Sequence, residues 1–196
     1  MVIFFVAFMF LTLIGISYVV ERKRKTGLVT AVATTAQPQP ELYIHPSHSF
    51  ARVDGDFVEI GMDEFSKRAF GDVQILDAPQ VGTVLHQGDL AWKLQVGDRV
   101  VSQRMPVSAR VTEVSPEKAG YILKAKATNL KDDLVNLIKG GSMMTWLKKA
   151  RAQFVADYSG EVMPALQDGG ELAEGFARHL NDEQWKEFCR EFFNCE

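Results

Sequence analysis

The stretch LAWKLQVGDRVVSQRMPVSARV, residues 90–111, has the most informative pattern in this chain. It contains two apolar-rich runs of β type, and Gly97 and Asp98 lie between them. Apolar side chains alternate with polar ones along both runs, as in strands that bury one face. Glycine and aspartate tolerate the backbone angles of a tight turn. The stretch therefore predicts a β-hairpin whose exposed tip, at Gly97 and Asp98, is a place to hold a group out into solvent.

Length and charge limit the possible functions. With 196 residues, 46% of them hydrophobic, the chain can form one main globular core with accessory segments. The formal net charge of −3 argues against nucleic-acid binding, because such proteins usually present a basic stripe. Cys189 and Cys195 are too few and too close together to staple a secreted fold. We therefore expect free thiols, with Cys189 packed in a helix and Cys195 exposed.

The N-terminus is strongly apolar. Residues 1–20 carry no charge, and a helix of that length covers roughly the 30 Å hydrocarbon core of a bilayer. The basic cluster ERKRK follows the apolar run, which is typical of an uncleaved anchor and unlike a cleaved signal peptide. We predict a single-pass transmembrane helix in residues 1–21, embedded between Val2 and Val20. Because basic residues beside a span favour the cytoplasmic side, the rest of the chain is expected in the cytoplasm, at an inner or plasma membrane.

The chain after this span divides into three parts by composition. Residues 22–42 form a basic flank and a tether that ends in QPQP, since alternating prolines favour an extended spacer. Residues 43–152 are predicted as a mainly β domain. Residues 153–196 are predicted as a C-terminal helical extension.

Local signals place elements inside the β domain. Residues 49–60 predict a hairpin with a turn that includes Gly55, and residues 62–70 predict a short helix that ends at Gly71. Residues 130–138 have the apolar spacing of another helix.

Towards the C-terminus, residues 143–151 fit either a strand or a helix. Asn181 and Gln184 resemble a capping box at the start of the last helix. That helix has an apolar stripe at i, i+3, i+4 and i+7, made of Trp185, Phe188, Cys189 and Phe192. We expect the stripe to dock on its own domain, while a partner and the membrane surface are the alternatives.

Short motifs follow one another in a fixed order between residues 43 and 115. They are His48-Ser49-Phe50, Asp54-Gly55-Asp56, FVEIGMDEF at 57–65, Phe70-Gly71-Asp72, Pro79-Gln80-Val81-Gly82 and Pro106-Val107. Their joint order resembles the H protein of the glycine cleavage system. The resemblance implies a barrel-sandwich hybrid, the lipoyl-domain-like fold, here between an N-terminal transmembrane helix and C-terminal helices. A looser similarity continues through Trp146-Leu147, where the family has a strand.

The same resemblance implies a lysine at the hairpin tip that carries a lipoyl group. Only an amine can form that amide, and an arm on a tip can swing between partner enzymes. Counted without gaps, the family's lysine falls on Asp98, which cannot be lipoylated, and its acidic neighbour falls on Gln95. The nearest lysine, Lys93, is predicted within a strand and facing solvent.

We therefore interpret the chain as a membrane-anchored, H-protein-like adaptor that has no catalytic residue and no cofactor and that docks an unidentified protein partner. The alternative is a lipoyl carrier of a glycine-cleavage-like complex that uses Lys93 or another lysine, with lipoate as its cofactor. A third possibility is a protein that binds free lipoyl or acyl groups. No metal site is expected, because His45 and His48 lack closely spaced partner ligands, and we expect His48 to pack or to form a hydrogen bond.

Overall fold

The computed structural model describes residues 40–115, 120–158 and 172–195. The predicted transmembrane helix and the tether up to residue 39 lie outside these residues. None of the helices within the described ranges combines the length and the hydropathy needed to cross a bilayer.

The described strands are all antiparallel to their neighbours and form two sheets. They are β1 (Glu41–Ile44), β2 (Ser49–Asp54), β3 (Phe57–Met62), β4 (Gln74–Leu76), β5 (Val84–Leu85), β6 (Leu90–Val96), β7 (Arg99–Arg104), β8 (Ala109–Val114), β9 (Leu123–Ala127) and β10 (Ile138–Lys139). The larger sheet has the order β10-β1-β2-β3-β9-β8-β5, and the smaller one has the order β4-β6-β7. The prediction of a mainly β domain is confirmed.

Both sheets bury their alternating apolar faces in one core. Ile60 and Leu123 enter it from the larger sheet, while Trp92, Leu94 and Val101 enter it from the smaller one. This alternation is the period of two that a pleated strand imposes on its side chains. The two hairpins predicted from the sequence, β2–β3 and β6–β7, are both present.

Helix α1 (Glu64–Phe70) has the ends that its sequence predicts. The side chain of Asp63 accepts a hydrogen bond from the Ser66 backbone N–H at 2.8 Å, which satisfies one of the free donors of the first turn. Gly71 ends the helix with a φ of 62°, a conformation that costs glycine little.

The single helix predicted over residues 130–138 is confirmed at its start and wrong at its end. The chain forms the short helix α2 (Leu130–Asp133), a 3-10 turn at Leu134–Asn136, and then strand β10. Ile138 pairs with Ile44 of β1, so strand pairing overrides the helical spacing of the apolar residues.

Helix α3 (Gly141–Tyr158) settles the ambiguity of residues 143–151 in favour of a helix. The strand that the looser similarity suggested at Trp146-Leu147 is therefore wrong. The helix buries Ala150, Phe154 and Tyr158, which lie one turn apart on one face. The boundary drawn after residue 152 falls inside this helix.

The C-terminal segment consists of a 3-10 turn at Phe176–His179 and helix α4 (Asp182–Phe193). The predicted capping box of Asn181 and Gln184 is present. The apolar stripe of α4 is buried against α1, α3 and the turn before it, with Phe188 packed on Phe70, Phe154 and Phe176. The expectation that the stripe docks on its own domain is confirmed.

Candidate functional site

The tip of the β6–β7 hairpin is a two-residue turn. Val96 pairs with Arg99, which leaves Gly97 and Asp98 as the two turn residues. Gly97 has a φ of 63°, in the left-handed region that two-residue hairpin turns require of glycine. Both turn residues are exposed, so the predicted tip is confirmed in position and in exposure.

The carboxylate of Asp98 points from this tip without a partner in the part of the chain that the structure describes. The turn itself is braced, because Gln95 Nε2 donates a hydrogen bond of 2.7 Å to the carbonyl oxygen of Gly97. Gln95 stands where the family resemblance placed an acidic side chain. The tip therefore presents a negative charge on a turn whose backbone is fixed by a side-chain hydrogen bond.

Lys93 lies in the middle of β6, the central strand of the smaller sheet. It pairs with Leu76 of β4 on one side and with Ser102 of β7 on the other. Its side chain is 38% exposed, and Nζ lies 2.9 Å from Asp77 Oδ2. The expectation that Lys93 is a strand residue and not a tip residue is confirmed.

Arg99, the first residue after the tip, connects the hairpin to the C-terminal segment. Its Nη1 donates a hydrogen bond of 2.7 Å to the Leu180 carbonyl oxygen. Its Nη2 donates a hydrogen bond of 2.7 Å to Asp182 Oδ1. The guanidinium carbon lies 5.2 Å from the centre of the Trp185 ring, within the range of a cation–π contact. These contacts hold the start of β7 against α4.

The end of β7 is held in the same way. Arg104 Nη2 donates a hydrogen bond of 2.9 Å to the Asn194 carbonyl oxygen, and the Cys195 thiol lies 3.0 Å from the Ser102 carbonyl oxygen. Strand β7 is an edge of the smaller sheet, and edges present unpaired backbone groups to solvent unless they are covered. The C-terminal residues provide this cover.

The expectation that Cys195 is exposed is wrong, because the chain turns back after α4 and buries it. Asn194 takes a left-handed φ of 50° at this turn, and the Cys195 N–H donates to the Cys189 carbonyl oxygen. Burial raises the pKa of the Cys189 thiol to about 12 and also raises the pKa of Cys195. Neither cysteine is a reactive thiolate at neutral pH.

His48 is a buried structural residue. Its Nδ1 lies 2.7 Å from Asp63 Oδ2, and its ring centre lies 4.4 Å from those of Phe65 and Trp146. The prediction that it packs or forms a hydrogen bond is confirmed, since it does both. Within the described ranges, no three His, Cys, Asp or Glu side chains gather as a metal site would require.

Sequence reasoning missed one buried polar pair beneath the hairpin. Trp92 and Gln103 pair across β6 and β7, and both are fully buried. Trp92 Nε1 and both amide atoms of Gln103 have no hydrogen-bond partner among the described residues. A glutamine in an alternating strand predicts a solvent-facing side chain, so no sequence signal identifies this one as buried.

The sequence model of the glycine cleavage H-protein family matches residues 42–150. This chain belongs to that family. A probable glycine cleavage system H protein of Pyrococcus furiosus is 30% identical over 121 residues, which cover 55% of this chain and 90% of the relative. The glycine cleavage system H protein of Rubrobacter xylanophilus is 29% identical over 108 residues, 48% of this chain and 85% of the relative.

A solved glycine cleavage system H protein from Mycobacterium marinum superimposes with a TM-score of 0.47 at 17% identity, over 55% of this chain and 96% of that one. In this H-protein family member, the family match includes the hairpin and Asp98 but ends at residue 150. The residues that cover β7, from Leu180 to Cys195, lie beyond the matched part of the chain.

Proposed function

We propose that this H-protein family member is a membrane-anchored adaptor without a lipoyl arm, which docks a partner protein through the tip of the β6–β7 hairpin. The observation that carries the proposal is the exposed carboxylate of Asp98 at the tip. A lipoyl amide needs an amine at that position, and a carboxylate cannot supply one. The scaffold of a family can persist while the reactive group at its site is lost.

The surroundings of the tip support a docking role. Gln95 braces the turn from within, and Arg99 fixes the start of β7 to α4. A rigid surface loses less conformational entropy when it binds than a mobile one does. Val100, which is 46% exposed, lies beside the tip and adds an apolar contact to the charge of Asp98. A partner with a basic side chain next to an apolar one complements this surface.

A lipoyl carrier that uses Lys93 is the competing function. Lys93 has an amine and is partly exposed, but its Nζ is engaged by Asp77. It lies in a strand that is paired on both sides, so a modifying enzyme would find no protruding turn around it. These contacts favour the adaptor over the carrier.

The membrane anchor in the proposal rests on the uncharged residues 1–20 and on the basic cluster that follows them. An anchor and a tether would keep the adaptor at the cytoplasmic face of an inner or plasma membrane. Anchoring raises the effective concentration of the domain for a partner in the same membrane.

Intact-mass measurement of the full-length protein tests the proposal. The protein is purified from cells that contain lipoate and a functional lipoate ligase, and an H protein with a tip lysine is expressed beside it as a positive control. We expect the control to carry a lipoyl mass and this chain to carry none. A stoichiometric lipoyl mass on this chain that disappears in Lys93→Arg would establish the carrier function instead.

Capture of partners from detergent-solubilised membranes tests the docking role. Asp98→Lys reverses the charge at the tip, and Asp56→Lys makes the same change at the β2–β3 turn, where Asp56 is also an exposed turn residue. We expect Asp98→Lys to lose a partner that wild type and Asp56→Lys retain. Equal retention by all three proteins would rule out the tip as the docking site.

A further inference from the structure

A cavity of about 270 Å³ lies between helices α1 and α3, away from the residues that form the hairpin tip. Its floor is aromatic and aliphatic: Phe65, Leu172 and Phe176 are buried there, and the ring centres of Phe65 and Phe176 are 5.8 Å apart. Met144 and Leu147 of α3 form its wall. The volume is close to the lower limit of about 300 Å³ for small-molecule sites.

The mouth of the cavity is basic. Lys148 and Arg151 follow Met144 and Leu147 on the same face of α3, since the four residues are spaced i, i+3, i+4 and i+7. In the described part of the chain, neither Lys148 nor Arg151 has an ion-pair or hydrogen-bond partner. Among the described residues of the lining, Arg68 of α1 adds a third positive side chain, and Glu64 supplies the one carboxylate.

We propose that this cavity binds a small amphipathic carboxylate, with its apolar tail on the aromatic floor and its carboxylate beside Lys148 and Arg151. The apolar floor favours binding of a hydrocarbon tail, because burying apolar surface is the main favourable contribution to the binding of such a ligand. The positive side chains at the mouth favour an anionic head group, because a charge-assisted hydrogen bond is stronger than a neutral one. The site does not depend on the role of Asp98.

The experiment uses the full-length protein in a non-ionic detergent. The probe is decanoate that carries a photoreactive group at the end of its tail. After irradiation, the labelled residues are mapped by peptide mass spectrometry. We expect adducts on Phe65, Phe176 or the α3 residues Met144 and Leu147. Unlabelled decanoate should prevent labelling, while decanol, which lacks the charge, should prevent it about tenfold less effectively.

Variants of α3 separate the cavity from other apolar surfaces. Lys148→Glu reverses a charge at the mouth, and Lys149→Glu makes the same change at the next residue, which lines a different cavity. We expect Lys148→Glu to lower labelling about tenfold and Lys149→Glu to leave it unchanged. Met144→Trp, at an exposed position, should block entry without unfolding the protein, as checked by circular dichroism.

Three results would overturn the proposal. Adducts confined to residues 1–39 would show that the tail enters only the apolar N-terminus. Absence of adducts on α1, α3 and Phe176 would show that the cavity does not hold the tail. Equal labelling of wild type and Lys148→Glu would show that the basic mouth does not contribute to recognition of the carboxylate.

Discussion

The β2–β3 and β6–β7 hairpins both turn on a Gly-Asp pair, and Gly55 and Gly97 have nearly the same φ, 60° and 63°. They differ in what holds the turn. Strand β3 pairs with β9 on its other side, and the Asp56 carbonyl oxygen accepts from the Ala127 N–H at 2.9 Å. Strand β7 is a sheet edge, and in the described part of the chain the C-terminal segment contacts it through Asn194 and Cys195. Both strands of the β2–β3 hairpin therefore have a neighbouring strand on their outer side, whereas in the β6–β7 hairpin only β6 has one, β4, and β7 is supported by a distant helix.

The difference predicts that the β6–β7 hairpin depends on α4 far more than the β2–β3 hairpin does. The family match ends at residue 150, so helix α4 lies beyond the matched part of the chain. Matched substitutions in the two hairpins and their supports can test it.

The largest effect is expected from Phe193→Ala. Phe193 is fully buried at the end of α4, and its ring centre lies 4.9 Å from that of Phe70. Loss of a buried aromatic ring leaves a cavity, and the free energy of unfolding should fall by about 3–5 kcal/mol. Phe57→Ala, beside the other turn at a residue that is 45% exposed, should cost less than about 1 kcal/mol. Denaturant unfolding of the full-length proteins measures both, and equal losses would contradict the comparison.

The next largest effect is expected from Arg99→Ala. It removes the hydrogen bond to Leu180 and the contact with Trp185, so we expect a loss of about 2 kcal/mol in unfolding free energy. The matched change is Arg52→Ala, because Arg52 of β2 is 40% exposed, pairs with Glu59 of β3 and also lies over the ring of Phe50. An exposed ion pair contributes less than about 1 kcal/mol.

Hydrogen exchange adds a local measurement for the same pair of variants. Amides of β7 should exchange faster in Arg99→Ala, while β3 should be unaffected in Arg52→Ala because β2 and β9 still flank it. Unchanged exchange in β7 would mean that α4 does not hold the hairpin through Arg99.

The two hairpins also mark what the sequence can predict. Each turn was predictable, because a Gly-Asp pair between alternating runs has a local cause. Helix α1 was predictable for the same reason, since Asp63 and Gly71 terminate it through contacts within a few residues.

Features that depend on distant partners were not predictable. Ile138 leaves a helical pattern because it pairs with Ile44, more than ninety residues earlier. The burial of Cys195 depends on its contact with Ser102, and nothing near the C-terminus indicates that contact. At the candidate site, the position of Asp98 at the tip could be predicted, but the cover that α4 gives to β7 could not.

A third prediction concerns the turns themselves. Gly55→Ala and Gly97→Ala each force a side chain into the left-handed region, although no atom lies within 4 Å of the added Cβ at either position. Each variant should therefore lose about 1–2 kcal/mol through backbone strain alone. Thermal unfolding measures the two losses. A difference larger than about 1 kcal/mol would show that the turns are not equivalent.

The connection between β1 and β2, which contains His45, should also respond to pH. Burial first, and then the positive charge of Arg104, lower the pKa of His45 from 6.5 to about 4. The unfolded chain therefore binds a proton below pH 6.5 that the folded protein does not bind until about pH 4. Stability should fall by about 1 kcal/mol as the pH is lowered through this window, allowing for solvent screening of a partly exposed ring. Unfolding of His45→Gln across the same range should lack this component.

The smallest effect on stability is expected at the two turn aspartates. Asp56→Asn and Asp98→Asn remove one exposed charge each, and both should change the unfolding free energy by less than about 0.5 kcal/mol. Measurements of partner binding should distinguish the two variants, since an exposed charge in an interface acts mainly on the association rate and its salt dependence. Once the partner has been captured, Asp98→Asn should slow association at low salt and flatten its salt dependence, whereas Asp56→Asn should change neither. If the two variants behave alike in binding as well as in stability, the charge at the β6–β7 tip has no role that the charge at the β2–β3 turn lacks.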